Sequence, residues 1–176
     1  MERKKTVSMT VGIAFSILYS IATSISLCAE AISEPYKFFY YPILAALSIS
    51  CMFIHEFLHY LAGKIVGIKG LRIGWLRKYG AIFTDYSEVD SLRYSLFILA
   101  PVLVLQLILF AVMMTGIPLL GYAFHYQLAS SIPDIFNLAY FTLLYGRCYY
   151  EVLHDDKGKV LGFIVIKDNR RIFYEL

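Results

Sequence analysis

The sequence predicts an all-α polytopic membrane protein with about four transmembrane helices and short cytoplasmic β-hairpins, forming a single domain over residues 1–176. Three observations predict it. The chain is 59% hydrophobic and only 16% charged, where soluble domains carry roughly 25% charged residues. Its mean hydropathy is +0.65. Its apolar residues gather into four runs, near 7–28, 42–66, 93–115 and 122–149, each long enough for a bilayer crossing of about 20 residues. The net charge of +3 comes largely from basic residues beside those runs. It therefore reads as topology and not as nucleic-acid binding. Cys28, Cys51 and Cys148 form no C-x-x-C and lie in or beside apolar stretches, which argues against a disulfide framework.

The first run, Val7–Cys28, follows the basic start Arg3-Lys4-Lys5, which places that end in the cytoplasm. Ala29-Glu30-Ala31 fits a small-x-small cleavage pattern, so a signal peptide is an alternative. The run is longer than a signal peptide needs, and a retained helix is the expectation. The segment Glu30–Phe39 is then external. Pro35 and Pro42 bracket five aromatic residues, Tyr36, Phe38, Phe39, Tyr40 and Tyr41, which suit an interfacial belt.

The second run holds the chemistry. It descends from outside to inside and contains His55, Glu56 and His59 in the spacing H-E-x-x-H. On a helix, residues four apart share a face, so the two imidazoles converge. Glu56 lies about 100° round and still reaches a ligand held there. Two neutral histidines, a carboxylate base and an open position for water suit a zinc hydrolase. A charged carboxylate near the centre of a membrane helix costs roughly 2.5–3.5 kcal/mol, so ionisable groups in such a run point to function. Ser48, Cys51, His55, His59, Ala62 and Gly63 share a stripe suited to helix packing. Phe53, Phe57 and Leu61 point elsewhere and suit lipid. Cys51, one turn before His55, reads as a buried thiol before it reads as a soft metal ligand.

Residues 67–86 form a cytoplasmic, β-prone segment marked by Lys69, Arg72, Arg77 and Lys78. Alternation at Leu71, Ile73 and Trp75, followed by Ala81–Phe83, predicts two short strands at the membrane surface. They are either a basic linker anchored by Trp75 or an exposed edge on which an extended peptide pairs. Ser87–Asp90 resembles a helix N-cap. The third run contains Pro101, which should kink it, and Gln106 as its only strongly polar side chain. Gly116–Gly121 reads as a tight external turn.

The fourth run is broken by Pro133, followed by Asp134, the only acid in the last two runs. Asp134 is the best third ligand for a His₂-carboxylate site. Its alternatives are a helix N-cap role for Asp134 and His125 as a rival ligand. Helix rise places Asp134 about 20 Å from the exit at Arg147, deeper than the histidine pair, so unwinding at Pro133, tilt or a re-entrant segment has to close the gap. The tail, about 158–175, predicts a hairpin of Val160–Ile166 and Arg171–Tyr174 around Asp168-Asn169, with a turn at Asp155–Gly158 and a solvated His154.

An H-E-x-x-H in a membrane helix, a β-prone cytoplasmic segment, Leu99-Ala100-Pro101 in the next run and an Asp in a Pro-broken last run resemble the site-2 protease class of intramembrane metalloproteases. The chain is similar, over roughly residues 40–170, to a small bacterial family of membrane zincin peptidases. That resemblance implies Zn²⁺ held by His55, His59 and Asp134, with Glu56 as catalytic base, acting on a peptide or transmembrane protein substrate within the lipid bilayer. The chain departs from site-2 proteases, which carry Leu-Asp-Gly in the last core span, in that Ile135-Phe136 follows Asp134, and in that Gln127 or Asn137 has to serve for their upstream Asn. Two other functions fit the same residues. One is a non-catalytic, immunity-type binding protein of the same fold. The other is a transporter subunit with a metal-ion or proton path, which the lack of internal repeats disfavours. The residue pattern fixes no oligomeric state.

Overall fold

A computed structural model describes residues 2–5, 7–76, 81–154 and 160–175, by backbone alone at 2–9, 75–76 and 81–83. Four long helices alternate in direction: α1 (Val7–Ser33), α2 (Tyr40–Ile65), α3 (Ser91–Met113) and α4 (Pro118–Tyr145). A short 3-10 turn, Pro35–Phe39, joins α1 to α2. The strands are β1 (Glu2–Lys5), β2 (Arg72–Leu76), β3 (Ala81–Asp85), β4 (Glu88–Asp90), β5 (Tyr149–His154), β6 (Val160–Lys167) and β7 (Arg170–Glu175). Chain connectivity gathers all of them at one end of the bundle. The expected turn at Asp155–Gly158, the charges of Arg77 and Lys78 and the side chain of Trp75 lie outside the described residues.

Three stretches, Thr10–Ser33, Pro35–Ile65 and Ser91–Met113, are long and apolar enough to cross a membrane. Their outer faces carry large apolar side chains, with Phe53 56% and Leu107 66% exposed, more than an aqueous surface ordinarily presents. Phe53, Phe57 and Leu61 point outward, while His55, His59 and Gly63 are buried, as their helical spacing requires. The fourth expected span differs. α4 has the length but carries Gln127, Ser130, Ser131 and Asp134, and it packs against each of the other three helices.

α1 continues unbroken through Ala29-Glu30-Ala31, and Ala31 is fully buried. It meets α4 closely: Phe15 stacks on Phe136 with centroids 5.2 Å apart, and a Cβ placed on Gly12 would stand 2.8 Å from the Pro133 Cα. Gly12→Leu is expected to force the two helices apart, costing about 1–3 kcal/mol as overpacking does. Thermal unfolding of the full chain in detergent measures it.

The bounds of α4 differ from the expected 122–149. Pro118 starts the helix, where its missing N–H costs nothing. The turn before it shrinks to Thr115–Ile117 around Gly116 at φ +77°. Gly146, at φ +59°, ends the helix, and Tyr149 already belongs to β5. Pro133 neither unwinds α4 nor makes its first half re-entrant: the helix runs through it. Nor is Asp134 an N-cap. The cap of α3 is Asp90, whose Oδ1 accepts from the backbone N–H groups of Leu92 and Arg93 at 3.1 Å each, while Glu88–Asp90 form an edge strand.

The predicted pair of strands in 67–86 is present, with β2 antiparallel to β3 from Arg72↔Asp85 to Leu76↔Ala81. The expected tail hairpin is part of something larger, a five-stranded sheet in the order β1-β7-β6-β5-β4. The β6–β7 turn has Asp168 and Asn169 at φ 49° and 61°, the left-handed pair that tight hairpins favour. β1 joins the far edge in parallel, Glu2 opposite Ile172. An aromatic core, with Tyr94, Phe97, Phe141, Tyr145, Tyr150 and Tyr174 at its centre, fastens this sheet to the ends of α3 and α4.

Candidate metal centre

His55 and His59 stand four residues apart on α2 and are 5% and 3% exposed. Asp134 comes to them from α4. His55 Nε2 lies 2.8 Å from Asp134 Oδ2 and 3.1 Å from His59 Nε2, and His59 Nε2 lies 3.4 Å from the same carboxylate oxygen. These three are the group of potential metal ligands found among the described residues.

The depth mismatch expected from helix rise is absent because α4 outruns α2. Its last turns leave the bundle and rest on the sheet, where Phe141 meets Phe163 and Tyr174 edge-on at 4.9 and 5.2 Å. The Tyr145 and Tyr174 hydroxyls pair beyond it. Asp134 of α4 sits level with the histidines of α2.

Each imidazole is held from behind. His59 Nδ1 lies 2.8 Å from the Phe97 carbonyl oxygen. A carbonyl only accepts, so Nδ1 carries a proton, and in the neutral imidazole Nε2 then presents a lone pair to the cluster. His55 Nδ1 lies 3.0 Å from the Gln127 amide, which is 3% exposed. Donating its N–H, that amide leaves His55 Nε2 protonated toward Asp134. Turned by 180°, it offers its oxygen and leaves Nε2 free to ligate. The Ser131 hydroxyl donates to the Gln127 backbone carbonyl at 3.1 Å, within the same helix. Outward-facing partners of this kind are the usual companions of metal-binding histidines.

The donor set fits zinc. Two imidazole nitrogens and one carboxylate oxygen match its three-ligand catalytic sites. A tetrahedral ion about 2.1 Å from each ligand sets the ligand atoms about 3.4 Å apart. The observed 2.8, 3.1 and 3.4 Å need only a small outward adjustment. Bringing two lone pairs and a carboxylate together in a buried site is unfavourable without a proton or cation between them.

Glu56 is not one of the three converging residues. Its Oε2 accepts from the Thr84 hydroxyl at 3.0 Å, and the same hydroxyl lies 2.9 Å from the Glu56 backbone carbonyl. Thr84 is on β3, so the two-stranded sheet is pinned to α2 at the position of the expected base.

The rival ligands lie elsewhere. His125 Nδ1 pairs with the Tyr19 hydroxyl at 2.7 Å, nine residues before Asp134 along α4. Cys51 lines a cavity of about 220 Å³ between α1, α2 and α4, with Ser16, Ser20, Ser48 and Ser130, and is not among the converging ligands. His154 is not simply solvated: its Nε2 lies 2.6 Å from Asp85 Oδ2, which also accepts from Arg72 at 3.2 Å. This contact ties β5 to the two-stranded sheet. Sequence reading named Gln127 only as a stand-in for an absent Asn, and it missed Thr84 and the Phe97 carbonyl as contributors.

Comparison of the chain with protein-family models, curated proteins and solved structures returns no match.

Proposed function

We propose that this chain is an intramembrane zinc metallopeptidase of site-2 protease type, hydrolysing a peptide bond of a membrane-associated or transmembrane substrate near the cytoplasmic face. The observation that carries the reading is the convergence of His55 Nε2, His59 Nε2 and Asp134 Oδ2, with both Nδ1 atoms engaged from outside. The three apolar helices support insertion in a membrane. α4 crosses as the fourth span, with Gln127 and Ser131 buried. Lys64, Lys69 and Arg72 lie at the strand-bearing end, which supports a cytoplasmic position for that end and for both termini.

Zinc, when bound, supplies Lewis acidity, lowering the pKa of its water towards about 7 and polarising the scissile carbonyl. The chain supplies the rest. His55, His59 and Asp134 hold the ion. Glu56 takes the proton of the attacking water and returns it to the leaving amine nitrogen. Thr84 donates to Oε2 and so fixes the carboxylate without supplying charge. A peptide extended along the β2–β3 pair passes the Glu56 carboxylate, which Thr84 of β3 holds.

The test uses the full chain purified in detergent and reconstituted in liposomes with a panel of fluorophore-quencher transmembrane peptides. One zinc per chain is expected, with peptide cleavage lost on chelation and restored by zinc. Folded, metal-replete protein without zinc overturns the metal site. Zinc bound without turnover of any peptide overturns the peptidase in favour of a non-catalytic binding protein.

A further inference from the structure

The carbonyl that holds His59 is not an ordinary helix carbonyl. Phe97 lies inside α3, Ser91–Met113, where each C=O accepts from the N–H four residues on. Four residues on from Phe97 is Pro101, which has no N–H. The Phe97 oxygen is thereby excluded from the helix ladder, and the bond it makes is to His59 Nδ1, at 2.8 Å in a buried setting. Burial without a donor is costly for a carbonyl, so the acceptor and the imidazole N–H satisfy each other. The Phe97 ring packs on the same imidazole, centroids 4.8 Å apart, and Pro101 itself is buried.

We propose that Pro101 is a positioning residue for the metal centre: by removing one N–H from α3 it releases the Phe97 carbonyl to fix His59 in the Nδ1–H tautomer, with Nε2 aimed at Asp134 and His55. The consequence for zinc rests on the metallopeptidase reading above; the tautomer assignment does not. A second feature fits the same account. The released carbonyl faces α2 at the residue where a ligand is needed, so a proline at position 101 serves the site even though it costs α3 a backbone hydrogen bond.

The experiment compares the wild-type full chain with Pro101→Ala, both ¹⁵N-histidine-labelled in detergent micelles. His59 is expected to give a hydrogen-bonded, slowly exchanging Nδ1–H resonance in the zinc-free wild type, assigned by its loss in His59→Gln. In Pro101→Ala the new N–H competes for the Phe97 oxygen. That resonance is expected to shift upfield and exchange at least tenfold faster, and zinc affinity to fall about 10–100-fold, the usual effect of losing an outer partner of a ligating histidine. The variant regains a helix hydrogen bond, so its thermal midpoint is expected to hold or rise. Weaker zinc binding at equal or greater stability is a result that a merely structural proline does not give.

Absence of the Nδ1–H resonance from the wild type overturns the proposal without any variant. So does an unchanged resonance in Pro101→Ala. A Pro101-dependent resonance in a protein that binds no zinc supports the tautomer assignment and overturns the metal reading instead.

Discussion

Exchanging Glu56 for Gln is expected to abolish peptide cleavage while leaving zinc content and fold unchanged. The substitution is nearly isosteric. The new amide oxygen can still accept from Thr84 Oγ1, which donates at 3.0 Å in the native protein, so the tie between α2 and β3 survives. His55, His59 and Asp134, which would hold the ion, are untouched. What disappears is a group that can accept a proton from water, and positioned general bases contribute roughly 10²–10⁴-fold. Initial rates on reconstituted transmembrane peptides should fall by at least that factor, with zinc still at one per chain by atomic spectroscopy. Cleavage retained in Glu56→Gln would sink the mechanism and leave the metal site standing.

Asp134→Ala carries the second large effect, and it acts on the metal. The variant removes the only carboxylate of the cluster and leaves two imidazole nitrogens 3.1 Å apart. Two ligands do not make a zinc site of the three-ligand kind. Zinc is expected to fall to well below one per chain, a larger loss than the 10–100-fold that follows removal of an outer partner. His55→Ala should behave likewise. Zinc retained in Asp134→Ala with zinc lost in His55→Ala would keep the histidine pair and dismiss Asp134. Ser131→Ala is a useful companion in the same series, because Ser131 sits one turn before Asp134 and its hydroxyl donates to the Gln127 backbone carbonyl.

These two variants separate what was legible in the sequence from what was not. His55 and His59 were legible because helical spacing alone places residues four apart on one face. Asp134 was legible as a lone acid in an apolar run, but its level was not. Helix rise counts residues along an axis and says nothing of where neighbouring helices end. The packing of Phe141 and Tyr145 against the sheet decides that, and it comes from residues that follow in β5, β6 and β7. The two hairpins were readable from alternation and from Asp168-Asn169. The merger of the β6–β7 hairpin with β1 was not, since four charged residues carry no strand signal and a parallel partner 170 positions away leaves no local trace. His154 was misread for a related reason: the residues that follow it in sequence are charged, while its neighbour in space is the buried Asp85. Pro101 was visible as a kink residue. That it frees the oxygen of Phe97 is arithmetic on the sequence, but what that oxygen meets belongs to another helix.

The parallel pairing of β1 with β7 also sets an order of events during synthesis. Glu2 precedes its partner Ile172 by 170 residues and is made well before it. At ribosomal speeds of about 5–20 residues per second, the edge that β1 completes does not exist for on the order of ten seconds. The four helices are all made in that interval, but the sheet that caps their ends closes only afterwards. Pairings so distant in sequence are slow to form. A nascent chain of this protein therefore passes through a stage in which His55, His59 and Asp134 are all made while the aromatic packing of Phe141 on Tyr174 is still unformed.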